Sequence, residues 1–256
     1  MDAFITAGTD RLWYEDSGGE GVPLVLLHPG IADSRIWDPM LPLLGAHRVI
    51  RFDRRGYGRS PHATEDYFAL GDLIALLDAL TVERAHLVGN SMGGETSLAL
   101  AVSAPERVAS MTLLCPGING YPWPEVDEDP ELEADWLRAK ESGDLAGLAD
   151  VQRRVWYANG TDDYLDEQLL ASATLSQSPA AAYEQDNPEQ WSHLESLTVP
   201  TTVISGELDP ADSLQASLDL AARIPGADLV RMPVDHIPQY RDPQAVAETV
   251  LATATR

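Results

Sequence analysis

The segment HLVGNSMGGETSLALA, residues 86–101, sets a single serine between two apolar runs, with Gly89 two positions before Ser91 and Gly93 two positions after it. The run before the serine, Ala85–Asn90, has the length and continuity of a buried strand. The run after it, Met92–Ala104, has helical length and stops at Pro105. A chain can turn from strand to helix at one residue only if that residue adopts a strained backbone. Side chains two positions to either side would then collide, so glycine is needed there. The G-x-S-x-G pattern meets both demands. It predicts a Ser91 hydroxyl standing clear of a sheet, beside a free backbone N–H and the positive end of a helix dipole.

Such a joint needs strands before it and helices after it, and the flanking sequence supplies them. Strands are expected at Ala3–Thr6, Arg11–Glu15, Pro23–His28 and His47–Asp53, then a helix near Asp66–Leu80. Val108–Cys115 follows as another strand. Between Pro116 and about Glu189 the rhythm breaks into acidic sequence rich in Trp, Tyr and Pro, with helical periodicity and no strands. Two amphipathic helices are expected in 129–160 and a third in 162–176. Alternation returns with strands Thr201–Ser205 and Asp228–Met232 and helices near Asp212–Ile224 and Asp242–Thr253. The expected fold is α/β: one parallel, doubly wound sheet, residues 1–116 and 191–256, with a helical cap inserted at 117–190.

A serine hydroxyl is a weak nucleophile unless a base, itself oriented by a carboxylate, removes its proton. His236 lies in MPVDHIPQYRDP, in the loop leaving the last expected strand, where Pro233 and Pro238 stiffen the chain. In a parallel sheet the loops at the carboxyl ends of the strands converge, so His236 can reach Ser91. The carboxylate is expected from VISGELDPAD, with Asp209, just before Pro210, as first choice and Glu207 as second. The loop LLCPGING carries no acid. An oxyanion needs two N–H donors: one is Met92, the other Gly30 or Ile31 from HPGIADSRIW, since Pro29 has no N–H. The His28 ring is expected to fix that loop, and Asp53, Arg54 and Arg55 to hold the loop DRRGYGRS by buried polar bonds.

Charge narrows the partners. The 256-residue chain carries 41 acidic and 17 basic residues, a net charge of -24, which repels nucleic acid and anionic membranes. No apolar run is long enough to span a bilayer, and no basic-then-apolar leader opens the sequence, so a cytoplasmic location is expected. The single cysteine, Cys115, excludes an intramolecular disulfide and reads as a buried, inert thiol. His47, His62, His86 and His193 lack metal-site spacing, and no metal is expected. The chain is expected to be a monomer or homodimer.

The motifs LVLLHPGIADSRIWDPM, RFDRRGYGRS, LVGNSMGGETSLALA, ISGELDPAD and DHIPQYRDP resemble, in order and interval, those of the α/β-hydrolase superfamily, over nearly the whole chain. The resemblance implies a mostly parallel eight-stranded sheet with helices on both faces and a helical cap inserted after the sixth strand, with no cofactor. It further implies Ser91, Asp209 and His236 as a catalytic triad, with Gly30 and Met92 as oxyanion donors. Serine at the joint argues against the aspartate-nucleophile branches. The 3-oxoadipate enol-lactonase-like and carboxylesterase-like branch is the favoured comparison, implying a small-molecule ester or lactone substrate contacted by Ile31, Trp123, Trp156 and Ile237. The alternatives are carbon–carbon hydrolysis of the meta-cleavage-product type, cofactor-free perhydrolysis, and a hydrolase-fold receptor that binds without turnover.

Overall fold

Elements form where the apolar pattern changes period. The computed structural model describes residues 2–124 and 129–256. Its main sheet comprises β1 (Asp2–Ala7), β2 (Asp10–Asp16), β3 (Leu24–Leu27), β4 (Val49–Phe52), β5 (Ala85–Asn90), β6 (Val108–Leu114), β7 (Thr201–Gly206) and β8 (Asp228–Met232). Their spatial order is β1-β2-β4-β3-β5-β6-β7-β8. β2 is antiparallel to both β1 and β4, and every other pairing is parallel. Successive central-strand residues feed opposite faces. Val25, Leu27, Leu87, Leu113 and Val203 join one apolar cluster, and Leu24, Leu26, Val88, Leu114 and Ile204 join the other. That is why apolar residues run consecutively in these strands rather than alternating: both faces are covered.

One face is covered by α1 (Ala69–Ala79), α2 (Met92–Ser103) and α6 (Ala211–Arg223), which contribute Leu73, Leu76, Leu98, Leu100, Ala216 and Leu220. The other is covered by α8 (Pro243–Ala254) and the turns at 34–43, through Val246, Val250, Trp37 and Met40. Between β6 and β7 the chain inserts α3 (Pro130–Ser142), α4 (Leu145–Trp156) and α5 (Asp163–Ser176). Leu165 and Leu169 of α5 pack into the second cluster beside Ile31 and Ala32. A one-turn helix, α7 (Pro238–Arg241), leads into α8. Among the described residues, no helix is long and apolar enough to cross a membrane.

The inserted segment departs from expectation in one respect. It is not strand-free: Glu184–Gln185 pairs in parallel with Tyr67–Phe68, which delays the start of α1 from 66 to Ala69. A two-residue strand has no periodicity to read, and this one exists because residues far apart in sequence meet. The Leu70 N–H donates to Asn187 Oδ1 at 2.8 Å beside it.

Aspartates start four of the helices. The side chains of Asp129, Asp144, Asp162 and Asp242 accept N–H groups at the first turns of α3, α4, α5 and α8. Asp162 accepts the Leu165 N–H at 2.9 Å and the Tyr240 hydroxyl at 2.7 Å. These bonds, led by the backbone N–H, hold its carboxyl below the usual aspartate value. A lowered pKa means a contribution present above the unfolded value and lost as pH falls through the folded one. Asp162→Ala is therefore expected to lower stability by about 1 kcal/mol at neutral pH. In urea titrations the gap should narrow as pH drops below about 3.9; a gap independent of pH would show that the cap carries no charge-assisted part.

Candidate active site

Ser91 sits at the joint of β5 and α2 with φ 54° and ψ −117°, one of three positive-φ residues that are not glycine among those described. Its backbone is bound on both sides: its N–H donates to Leu114 O at 3.0 Å, and its carbonyl accepts from Glu95 N and Gly117 N, each at 3.0 Å. The flanking glycines are required by contact. A Cβ on Gly89 would lie 2.3 Å from Gly93 O, one on Gly93 2.2 Å from Leu27 O, and one on Gly94 2.7 Å from the Pro116 ring. No side chain fits at Gly89 or Gly93, because the opposing atoms are backbone.

His236 and Asp209 meet in the loops after β8 and β7. The imidazole Nδ1 lies 2.8 Å from Asp209 Oδ1 and 3.0 Å from Oδ2, and both side chains are buried. A carboxylate accepts, so Nδ1 carries the proton of this bond, leaving Nε2 as the ring nitrogen that can act as a base. Glu207 points elsewhere and pairs with Arg231 on the surface. Asp235, though adjacent to His236, is bound to Arg241 and to the Asn159 N–H. The serine and histidine loops are tied together by Asn90, whose Nδ2 donates to the His236 carbonyl at 3.0 Å and to Leu114 O at 2.9 Å. Gln239 in turn donates to Asn90 Oδ1 at 2.9 Å. Among the described residues the Ser91 hydroxyl makes no hydrogen bond, to His236 or otherwise. Such bonds are often long before substrate arrives.

The loop after β3 is held with equal care. His28, fully buried, donates from Nδ1 to Pro29 O at 2.8 Å and accepts the Arg54 N–H on Nε2 at 2.9 Å. Burial lowers its pKa, so the ring is neutral. The bond to Pro29 O orients the peptide plane that carries the Gly30 N–H. Tyr57 and Ser172 hydroxyls donate to Gly30 O at 2.9 and 3.0 Å, orienting the plane that carries the Ile31 N–H. The Gly30 and Met92 N–H groups have no partner among the described residues. Asp53 takes the Ser34 and Arg59 N–H groups at 2.9 and 2.8 Å, while Arg55 is bound by Asp10 and Asp72. Arg54 pairs with Glu184 of the inserted segment and donates to Met92 Sδ.

The four expected substrate contacts separate. Trp156 ends α4 with its ring 4.3 Å from the His236 ring, and it lines a cleft of about 800 Å³ with Leu132, Trp136, Val151, Val155 and Pro210. Asp129, Glu133 and Asp212 form the acidic part of that lining. Ile31 is buried beside Tyr157, whose hydroxyl donates to its carbonyl at 3.4 Å. Ile237 is wholly buried in the second apolar cluster and offers no surface. Trp123 is half exposed and packs edge-on against Tyr121, outside the cleft lining. From the sequence Trp136 is one of several cap tryptophans able to line a pocket and was not singled out as a contact, and Asn90 was missed as a tether, because neither position has a local signal that sets it apart. Among the described residues, the one group of Cys, His and carboxylate atoms close enough to hold a metal ion is Cys115, Asp209 and His236.

Comparison with known proteins agrees with this fold. Residues 24–249 match the alpha/beta hydrolase family. A 2-hydroxymuconate semialdehyde hydrolase of Pseudomonas sp. (strain CF600) is 31% identical over 88% of this chain and 83% of its own. The rhodomycin D methylesterase DauP of Streptomyces sp. (strain C5) is 29% identical over 89% of each. The solved structure of Est816, described as an N-acyl homoserine lactone degrading enzyme, superposes with a TM-score of 0.75 at 27% identity, covering 98% of this chain and 99% of that one. Two relatives at 42% and 44% identity align over only 40% of this chain, and over 41% and 29% of their own lengths.

The glycine contacts can be tested apart from any activity. Gly93→Ala should cost about 1–3 kcal/mol of stability through backbone collision. Gly71→Ala, in α1 with open space around its position, should stabilise by about 0.5–1 kcal/mol. Urea midpoints that ranked the two alike would contradict the tight joint.

Proposed function

Because the chain belongs to the alpha/beta hydrolase family, we propose that it hydrolyses a carboxylic ester or lactone of a small hydrophobic substrate through a Ser91–His236–Asp209 triad. His236 Nε2 takes the Ser91 proton as the hydroxyl oxygen attacks the substrate carbonyl. The N–H groups of Gly30 and Met92 hold the resulting oxyanion, and Asp209 fixes the imidazole tautomer and balances its charge. The C–O bond then breaks, the alcohol oxygen takes its proton from His236, and an acyl-Ser91 remains. Water, deprotonated by His236, releases the acid along the same path. The observation that carries this reading is the strained Ser91 on the sheet edge where the buried His236–Asp209 pair also sits.

The inserted helices, residues 117–190, act as the lid that supplies the substrate's apolar contacts, Trp156 foremost. The resemblance to the methylesterase and to the lactone-degrading Est816 supports ester and lactone bonds. The resemblance to the 2-hydroxymuconate semialdehyde hydrolase supports a second reading, carbon–carbon hydrolysis with the same residues. The cleft beside the His236 ring is lined in part by Asp129, Glu133 and Asp212, which repel a free carboxylate, so neutral substrates are expected.

A fluorophosphonate probe should label the wild-type chain at Ser91 and leave Ser91→Ala unlabelled; undiminished labelling of that variant refutes the nucleophile. Asp209→Asn should cut kcat by about 10⁴, as tautomer loss does in serine proteases, while Glu207→Gln stays near wild type. The reverse result would reassign the acid. Against a panel of nitrophenyl esters and lactones, neutral compounds should show kcat/KM at least about tenfold above matched carboxylate-bearing ones at low salt, with the gap closing as salt rises. Turnover of vinylogous diketones in preference to every ester would establish the carbon–carbon reading instead.

A further inference from the structure

The imidazole of His236 is aimed by a short stretch of loop, and the hydrogen bonds of that stretch divide between two parts of the chain. Its carbonyls are held by the core: Val234 O accepts the Leu208 N–H and His236 O accepts Asn90 Nδ2, each at 3.0 Å. Its N–H groups go to the inserted segment. The Asp235 N–H donates to Asn159 Oδ1 at 3.0 Å, and the His236 N–H to Trp156 O at 3.4 Å. Buried backbone donors need partners. Among the described residues these two find theirs in the inserted segment and none in the sheet or the helices that cover it.

Asn159 binds Asp235 in both directions. Its own N–H donates to Asp235 Oδ2 at 2.9 Å, while its side-chain oxygen takes the Asp235 N–H. The Asp235 carboxylate is wholly buried and is balanced by Arg241, whose Nε and Nη2 donate to it at 3.0 and 2.8 Å. Arg241 also donates to Gly160 O, so the circuit of bonds closes on the turn that carries Asn159. That turn, residues 157–160, is shut by the Gly160 N–H on Tyr157 O at 2.8 Å. It follows directly on Trp156, whose indole packs 4.3 Å from the His236 ring. Main chain, side chain and aromatic ring thus bear on the base from one side, and all come from residues 156–160.

We propose that Asn159 is a positioning residue of the active site: by holding the Val234–Asp235 peptide it sets the direction of the His236 ring, so the inserted segment places the base as well as covering the substrate. The inference rests on the Ser91–His236–Asp209 reading. With the Asn159 side-chain bond gone, that peptide is held by its carbonyl alone, on the Leu208 N–H. It can then rotate, and the ring one residue further on moves relative to Ser91. A misplacement of about 1 Å can cost a reaction about 10²-fold. Asn159 is itself exposed, so replacing its side chain removes an acceptor without opening a cavity.

The test uses the full chain and 4-nitrophenyl butyrate, with kcat and KM read separately and the proton NMR signal of His236 Nδ1–H read alongside. In Asn159→Ala kcat is expected to fall about tenfold, less than a full 1 Å misplacement brings, with KM unchanged. The Nδ1–H signal should shift or broaden as its bond to Asp209 is disturbed. A role confined to seating the lid would do the reverse: KM would rise, kcat would hold and the signal would stay. A raised KM with unchanged kcat, or an unmoved signal, overturns the inference. Should the alanine variant not fold, Asn159→Leu, alike in shape and without an acceptor, is read in the same way. Asp209→Asn run alongside separates the two levels: full turnover there brings down the triad reading and this inference together. Lost turnover there with an unaffected Asn159→Ala brings down this inference alone.

Discussion

Backbone-to-backbone contact at the β5–α2 joint is the constraint on which the rest of the structure depends. Gly93 lies so close to the Leu27 carbonyl that a single added carbon would sit 2.2 Å from it, and Gly89 is pressed as closely against Gly93. These approaches let α2 start directly above the sheet, with β3 and β5 beneath it. Ser91 bears the conformational cost, and its main-chain bonds to Leu114, Glu95 and Gly117 hold it there. Strain of this kind persists only where the surroundings over-determine it. Here they do so from three strands at once.

The same joint organises the loops around it. Asn90, the residue before the serine, is fully buried and uses its amide to hold the carbonyl of His236, 146 residues further along the chain. On the opposite side, His28 uses both ring nitrogens to lock the loop carrying Gly30 to the loop carrying Arg54. Buried polar groups left unpaired are costly, so each of these side chains constrains its partner as much as it is constrained. The geometry at the sheet edge is thus held by hydrogen bonds between loops, and the apolar clusters beneath supply the cohesion.

The segment returning from the inserted helices is fastened to the core by charge. Glu184 meets Arg54 and the Tyr67 hydroxyl, while Asn187 and Gln190 donate to Glu95 on the first turn of α2. Burial raises the Glu95 pKa, and the two amides compensate in part. These contacts put the anchoring of α3–α5 one helical turn from Ser91. Anchoring of the inserted helices and support of the serine therefore share a few residues.

Much of this was legible in the sequence, for a physical reason: sterics and periodicity are local. The eight strands, the flanking helices and the three inserted helices follow from apolar runs, spacing and Pro or Gly punctuation, and the strained serine follows from the glycines two residues away. The meeting of His236 with Asp209 was legible because parallel strands send their loops to one edge. What needed three dimensions is everything set by contacts across the chain. Ile237 has the same apolar side chain whether it lines a cleft or lies sealed in the second apolar cluster, and only packing decided for the latter. The strand at Glu184–Gln185 exists only beside Tyr67–Phe68. Cys115 reads as one more apolar residue in VASMTLLC, yet the turn ending β6 brings its sulfur within 4.8 Å of the Asp209 carboxylate and onto the Gly206 N–H. Neighbouring residues determine how a chain bends, but which side chains meet at the bend is decided when distant segments share the same space.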